Sequence, residues 1–339
     1  MERILECVPN FSEGRDPIVI QKIGEAIRSI SGAKLLHVDV GLSANRSVFT
    51  IAGRPESVVE AAFQAIKTAS ELIDMRKQTG AHPRIGATDV CPLVPVKNVE
   101  MRECIEFSYA LAQRVSAELN IPIFMYEESA TMDYRRNLAD IRKGEYENLE
   151  KKMLQEIWKP DFGTEFSAKS GAIVMGARNF LIAYNITLNT QSVEIAKAIA
   201  GKIRERGSAV RNSHGELLRN DKGEITFKRG IFTQLKAIGW YMDEYEAAQV
   251  SMNIIDYKKA KLHLVYEQVK EEAEKLCCSV RGSELIGLIP SEALLMAGEY
   301  YLKNPGASKN EKYAAAIENL HLDDLAPFKV EERVIDEML

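Results

Sequence analysis

Residues 3–11 open as an apolar strand. Asp16-Pro17 then supplies a helix N-cap and first-turn signal, before Ile20, Ile23, Ile27 and Ile30 recur at helical spacing. From Lys34 to Val40 the pattern alternates, placing Leu36, Val38 and Val40 on one face of a strand and His37 and Asp39 on the other. Gly41 to Arg46 turns the chain, and Ser47 to Gly53 reads as the next strand. Pro55 begins a helix striped by Val59, Ala62, Ile66, Ala69 and Ile73. Val90 to Val96 is a further strand, which Pro92 and Pro95 push toward a sheet edge or an irregular path. A helix over 100–119 and a strand over Ile121–Tyr126 close this first unit.

The charged stretch from Asp133 to Gly163, broken by Trp158-Lys159-Pro160-Asp161-Phe162-Gly163, reads as the linker, with the connection to a second unit there or shortly after. Beyond it, 180–188 is a strand, 192–206 a helix, and 209–218, 231–240 and 249–257 are strand-like. A helix over 259–276 and a short strand follow. Both halves thus run βαββαβ, the second with an extra hairpin, so the expected class is α+β with two ferredoxin-like α/β subdomains rather than one doubly wound sheet. Tyr184, Trp240 and Tyr257 are expected as core or interface aromatics rather than a stacking platform.

Composition changes this picture little. The chain has 339 residues, 46% of them hydrophobic and 27% charged, which suits two globular units of about 100–200 residues each. A net charge of −5 argues against a protein built to neutralise nucleic-acid phosphates, and no apolar run is long enough to span a membrane. The five cysteines are odd in number and lack paired metal-ligand spacing, so reduced thiols and a cytoplasmic location are expected.

The most informative segment is Thr79-Gly80-Ala81-His82-Pro83-Arg84-Ile85-Gly86-Ala87-Thr88-Asp89, where glycines bracket a loop holding His, Arg and Asp. An imidazole there suits proton transfer, and by position alone His82 is equally a plain loop histidine. His37 and Asp39 are a polar pair or, joined by His82, a metal site. With no His-x-x-x-His or Cys-x-x-Cys spacing the expectation is no metal. Val8 to Gly14 is an ordinary turn or the polar end of a ligand-bearing strand. The segments 168–172 and 176–179 hold Lys169 and Arg178 as a solvated linker or as partners for carboxylates. No phosphate-cradling glycine loop for ATP or NAD is present in the sequence.

Cys7-Val8-Pro9-Asn10-Phe11-Ser12-Glu13-Gly14, Asn45-Arg46, Leu72-Ile73-Asp74-Met75, His82-Pro83-Arg84 and Asp89-Val90-Cys91-Pro92 closely resemble the formiminotransferase family. The likeness continues through Gly144-Glu145-Tyr146-Glu147, Pro160-Asp161-Phe162-Gly163, Gly176-Ala177-Arg178, Gly239-Trp240-Tyr241 and Ala248-Gln249-Val250-Ser251, and so covers almost the whole chain. It implies facing β-sheets with external helices, subdomains over 1–178 and 179–327, a ligand tunnel between them and a homodimer. In some organisms the family domain is fused to a cyclodeaminase. Here 328–339 is expected as a short tail, with that second activity absent or carried by another protein.

The resemblance also implies transfer of a formimidoyl group from N-formimidoyl-L-glutamate to N5 of tetrahydrofolate, releasing glutamate, in histidine breakdown. His82 matches the family's catalytic histidine. Asn10, Asp39, Arg46 and Arg84 fall at its substrate site, Asp39 being preferred over His37. Its folate-contacting stretch falls on Gly163, Thr164, Glu165, Phe166, Ser167, Ala168, Lys169, Ser170 and Gly171, with Arg178 a further cation for a carboxylate. This chain is about one residue shorter in that stretch, with different residue types. Two alternatives stay open. One is a folate enzyme using formyl donors, a glutamate formyltransferase or a 5-formyltetrahydrofolate cycloligase, and the other is a non-catalytic folate or amino-acid sensor.

Overall fold

The computed structural model describes residues 2–339, and the chain divides into two units at the Phe180–Leu181 step. The first unit begins with β1 (Ile4–Cys7), β2 (Asn10–Phe11), α1 (Pro17–Arg28), β3 (Ala33–Gly41), β4 (Arg46–Gly53), α2 (Pro55–Leu72) and β5 (Thr88–Lys97). It continues with α3 (Met101–Leu119), β6 (Ile123–Met125), α4 (Leu138–Arg142), α5 (Glu145–Met153) and β7 (Ile173–Ala177). The expected N-cap is real: Asp16 accepts from the Ile18 amide at 2.8 Å, with Pro17 opening α1.

The first sheet runs β3, β4, then β1 and β2 end to end, then β5, β7 and β6. Its first four positions have the ferredoxin-like order, all antiparallel, and β7 and β6 extend it in parallel. Leu5, Cys7, Phe49, Ile51, Cys91 and Leu93 lie in the core with α1, α2 and α3. By strand alternation Glu6, Asn10, Arg46 and Asp39 therefore occupy the opposite face.

The edge placement of β5 and the linker reading of 133–163 change here, while the irregular path of β5 holds, its pairings with β1 and β2 each carrying a register shift. β5 is interior, paired with β1 and β2 on one side and β7 on the other. Its prolines are tolerated because Pro92 sits at the break between β1 and β2, where its carbonyl accepts from Val8, and Pro95 lies beyond the β7 pairing. The stretch 133–163 is not a linker. It folds onto the first unit: the Asp161 carboxylate, paired with Arg135 at 2.8 Å within the stretch, accepts from the Met125 amide of β6 at 2.8 Å.

The second unit holds β8 (Ile182–Leu188), α6 (Val193–Ile203), β9 (Ser208–Ala209), β10 (Phe227–Lys228), β11 (Leu235–Met242) and β12 (Ala247–Ile254). After these come α7 (Leu262–Lys275), β13 (Val280–Ile286), α8 (Ser291–Leu302), α9 (Lys309–Asn319), α10 (Val330–Arg333) and α11 (Ile335–Met338). Its sheet order β11-β12-β8-β13, all antiparallel, is ferredoxin-like, so the chain is an α+β protein of two such units. Residues 328–339 carry α10 and α11, with Val334 and Ile335 buried and Val334 bridged to Ile289. Tyr184 is core, whereas Trp240 is half-buried and donates to Gln249 at 2.8 Å.

The stretch 209–218 forms no long strand. Asn212 and Asn220 each fold a turn by accepting from two amides ahead of them, and the two turns share the pattern Arg-Asn-x-x-Gly-Glu. Close packing is stricter at Gly239, where a Cβ would stand 2.2 Å from the Lys197 nitrogen of α6. Gly239→Ala is expected to destabilise the second unit by about 3 kcal/mol, read as a lowered urea midpoint; an unchanged midpoint would contradict this packing.

Candidate functional site

The loop between α2 and β5 carries His82, and three other segments hold it. Asn45, buried and in the left-handed region at φ 46°, accepts from the Gly14 amide at 2.9 Å and donates to the Thr79 carbonyl at 2.7 Å. The Ala81 amide donates to Ser43 at 3.2 Å, and the Ser12 hydroxyl donates to the Gly86 carbonyl at 2.7 Å. Gly80 and Gly86 have no room for a side chain: a Cβ would meet the Ala44 carbonyl oxygen at 2.3 Å and the Ala172 carbonyl oxygen at 2.1 Å. The two glycines that flagged this loop therefore bring it against the β3–β4 turn and the strand leading into β7.

The His82 ring is half-buried, with Nδ1 2.8 Å from the Pro83 carbonyl oxygen. A carbonyl oxygen only accepts, so Nδ1 carries the proton and Nε2 presents a lone pair. Burial, then the Arg46 and Arg142 cations, pushes the ring pKa from 6.5 down to about 3, so the imidazole is neutral at physiological pH. An anion placed on those arginines would relieve the cationic part of that shift and raise the ring's basicity.

Both arginines converge on one carboxylate. Arg46 donates to Asp89 at 2.7 Å, Arg142 donates to the same Asp89 oxygen, and the Ile85 amide donates to the other oxygen at 2.9 Å. Burial of Asp89 opposes its ionisation, but Arg142 and Arg46 outweigh it and hold the carboxyl at about 2. Two guanidiniums share one carboxylate, leaving one positive charge in excess beside His82. Arg46 also donates to Asn10 at 3.1 Å, which fixes Asn10 at the start of β2. The Arg142 Nε is enclosed without a hydrogen-bond partner.

The remaining predicted residues separate. Asp39 forms a pair with His37 at 3.2 Å, both side chains half-buried, so those two make the polar pair. Arg84 donates five hydrogen bonds, to the Gln78 side chain and carbonyl and to Glu145 and Glu147, which occupies every N–H of its guanidinium. That geometry makes Arg84 a clamp between the His82 loop and α5. Among the described residues no cluster of three or more His, Cys, Asp or Glu forms a metal centre.

The stretch from Gly163 to Gly171 runs beside the His82 loop, a proximity that periodicity did not indicate. The Ala87 amide donates to Ser170 at 2.8 Å, Gly86 bridges Gly171, and Ser167 pairs with Gly171 across a tight turn. Phe166 packs on Tyr146, whose hydroxyl donates to the Ala168 carbonyl. Gly163, Thr164 and Glu165 are exposed. Lys169 is engaged, donating to the Glu71 carbonyl at 2.6 Å at the negative end of α2. Arg178, just past β7, donates to the Asn179 carbonyl and acts electrostatically on Glu6 and Tyr126.

Sequence reasoning missed two contributors. Arg142 lies in a charged stretch read as a linker, with nothing local to set it apart from neighbouring cations. Asn45 appeared in the sequence only as part of the Asn45-Arg46 motif with no role of its own, and its positive φ and its bonds to Gly14 and Thr79 show only in three dimensions.

Residues 4–178 match the model of the formiminotransferase domain, N-terminal subdomain, and residues 183–339 match that of the formiminotransferase domain. The chain is 46% identical to a formimidoyltransferase-cyclodeaminase of Dictyostelium discoideum, covering 100% of this chain and 61% of that protein. Against the Gallus gallus protein of the same name identity is 44%, covering 99% and 60%. The chain thus spans 60–61% of the length of these relatives. A glutamate formimidoyltransferase of Streptococcus pyogenes serotype M1 is 43% identical, covering 89% of this chain and 94% of its own length. No helix among the described residues is long and apolar enough to cross a membrane. With both halves matched in order, and a relative this similar aligned over nearly its full length, the chain belongs to the formiminotransferase domain family.

Proposed function

We propose that this protein is a glutamate formimidoyltransferase, moving the formimidoyl group of N-formimidoyl-L-glutamate to N5 of tetrahydrofolate in histidine degradation. One observation carries the reading: a neutral histidine with its Nε2 lone pair unprotonated stands beside a carboxylate-bridged arginine pair with one positive charge in excess. Family membership supports the choice of substrates. N5 attacks the formimidoyl carbon, forming the N–C bond, and Nε2 of His82 takes the N5 proton. The bond from that carbon to the glutamate nitrogen then breaks, with the same proton delivered to the departing nitrogen. Glutamate carboxylates belong on the excess charge of Arg46 and Arg142, where they also raise the basicity of His82. Asn10 and Asp39 line the same sheet face as further polar contacts, and the 163–171 stretch, beside the His82 loop, is the folate-contacting segment. The same reading takes the protein to be a cytoplasmic homodimer with its subdomains meeting near residue 178, and the resemblance is what supports these points.

The test is glutamate release from purified protein with formimidoylglutamate and tetrahydrofolate, without ATP, run beside N-formylglutamate and 5-formyltetrahydrofolate. The formimidoyl donor is expected to be used at least about tenfold more efficiently, because its amidine is the electrophile the site is matched to. Preference for a formyl donor, dependence on ATP, or ligand binding without any turnover would refute the assignment.

A further inference from the structure

Glu6 lies on β1 between Leu5 and Cys7, whose side chains enter the helix-covered core, so it occupies the sheet face that also bears Asn10 and Arg46. It is 2% exposed, and its carboxylate makes no hydrogen bond with any described residue. Burying a carboxyl without a hydrogen-bond partner is costly. Its oxygens are not among the atoms that are fully enclosed and unpaired.

A transverse row of the sheet completes the setting. Glu6 pairs with Val94 on β5, and the next position, Leu93, pairs with Ala177 on β7. The chain then places Arg178, whose amide donates to Leu93 at 3.0 Å, and Tyr126 follows β6 one strand further on, its amide donating to Met175 at 3.0 Å. The Arg178 guanidinium acts on both Glu6 and Tyr126. Burial outweighs that cation, so the Glu6 carboxyl stays at about 7. The register therefore puts an acid and a cation on one face of the sheet, and with the acid's hydrogen bonds unmade they offer acceptor oxygens and a donor there.

We propose that Glu6 and Arg178 form a recognition site for the 2-aminopyrimidinone edge of a reduced pterin, on the same sheet face as the Arg46–Asp89 pair. That edge offers, in sequence, an amino N–H, a ring N–H and a carbonyl oxygen. The two N–H groups suit the Glu6 carboxylate as parallel hydrogen bonds, and the carbonyl suits Arg178. The formimidoyl amidine also presents N–H groups to a carboxylate but lacks the adjoining acceptor, so Arg178 is what selects the pterin. This inference rests on the proposed use of tetrahydrofolate as acceptor and adds the group that orients it.

Calorimetric titration of tetrahydrofolate into wild type, Glu6→Gln and Glu6→Ala, with steady-state KM values for both substrates, tests it. Expected is weakening of tetrahydrofolate by about 30- to 100-fold in Glu6→Ala and by about tenfold in Glu6→Gln, the donor KM changing by less than about twofold. A pterin lacking the 2-amino group should bind wild type as weakly as tetrahydrofolate binds Glu6→Ala, and should lose little more in that variant. Unchanged tetrahydrofolate affinity, or a change confined to the donor KM, overturns the proposal while leaving the transfer reaction standing. If wild type binds tetrahydrofolate without transferring, the titrations still decide the role of Glu6; if wild type does not bind it, both readings fall. Should Glu6→Ala misfold, Glu6→Gln carries the comparison. Because it removes an unpaired buried acid, its melting temperature at pH 8 should be no lower than that of wild type.

Discussion

His82→Ala is expected to slow formimidoyl transfer by about 10² to 10⁴ at saturating substrates, the range for losing one positioned general acid/base. The tetrahydrofolate dissociation constant should change by less than about threefold, because the ring is assigned to the proton and not to holding the pterin. Its single hydrogen bond within the chain runs from Nδ1 to the Pro83 carbonyl, so truncation leaves no buried group of the loop unpaired beyond that oxygen. The loop itself is secured by Asn45, Ser12 and the two glycines, and circular dichroism and thermal melting should match wild type. Pre-steady-state mixing separates proton transfer from product release. Near-normal turnover in that experiment would remove His82 from the mechanism.

Asp89→Asn should be costlier for the fold than for any single contact with substrate. It retains a side-chain oxygen for the Ile85 amide but removes the charge that holds two guanidiniums together, and Asp89 is fully buried. Breaking a buried charge arrangement from one side typically costs about 3–5 kcal/mol, because the remaining charges keep their desolvation penalty. The loss should appear as a lowered denaturation midpoint for the first unit. Asp89 is lowered from 3.8 to about 2 in the folded protein, so its stabilising contribution is complete above pH 3.8 and disappears as pH falls through about 2. The variant should therefore show a flatter loss of stability across that acid window than wild type. The Asp89 charge also raises His82 basicity against the two arginines, so the ring pKa, followed by NMR, should fall further. Retention of wild-type stability at neutral pH would refute the assignment of Asp89 as the keystone of this pair.

Periodicity exposed both βαββαβ runs, because each strand and helix there carries a face buried on one side only. It failed where burial is two-sided or the chain irregular. Pro92 and Pro95 argued for an edge, yet the break between β1 and β2 lets an interior strand accept them. The stretch 133–163 looked like solvated linker because Arg135 and Asp161 are charged, and only their mutual pairing allows both to be buried. At the site, His82 was legible as a loop histidine, and its catalytic role is what the resemblance implies. Arg142 and the clamp role of Arg84 depend on which carboxylates they meet from distant segments, and one-dimensional spacing carries no record of that.

The strand order of the first sheet constrains how that sheet can be made. β7 is the last of its strands in sequence, yet it lies between β5 and β6. A nascent chain that has emerged only as far as α5 holds β5 and β6 with the strand that joins them still on the ribosome. The gap is one strand wide, and both of its edges carry unpaired backbone groups. β7 closes it by pairing in parallel with each neighbour, and in the same event draws Gly171 onto Gly86 and places Arg178 just past the end of β7. Completion of the sheet and docking of Gly171 against the His82 loop are thus a single late step of vectorial synthesis.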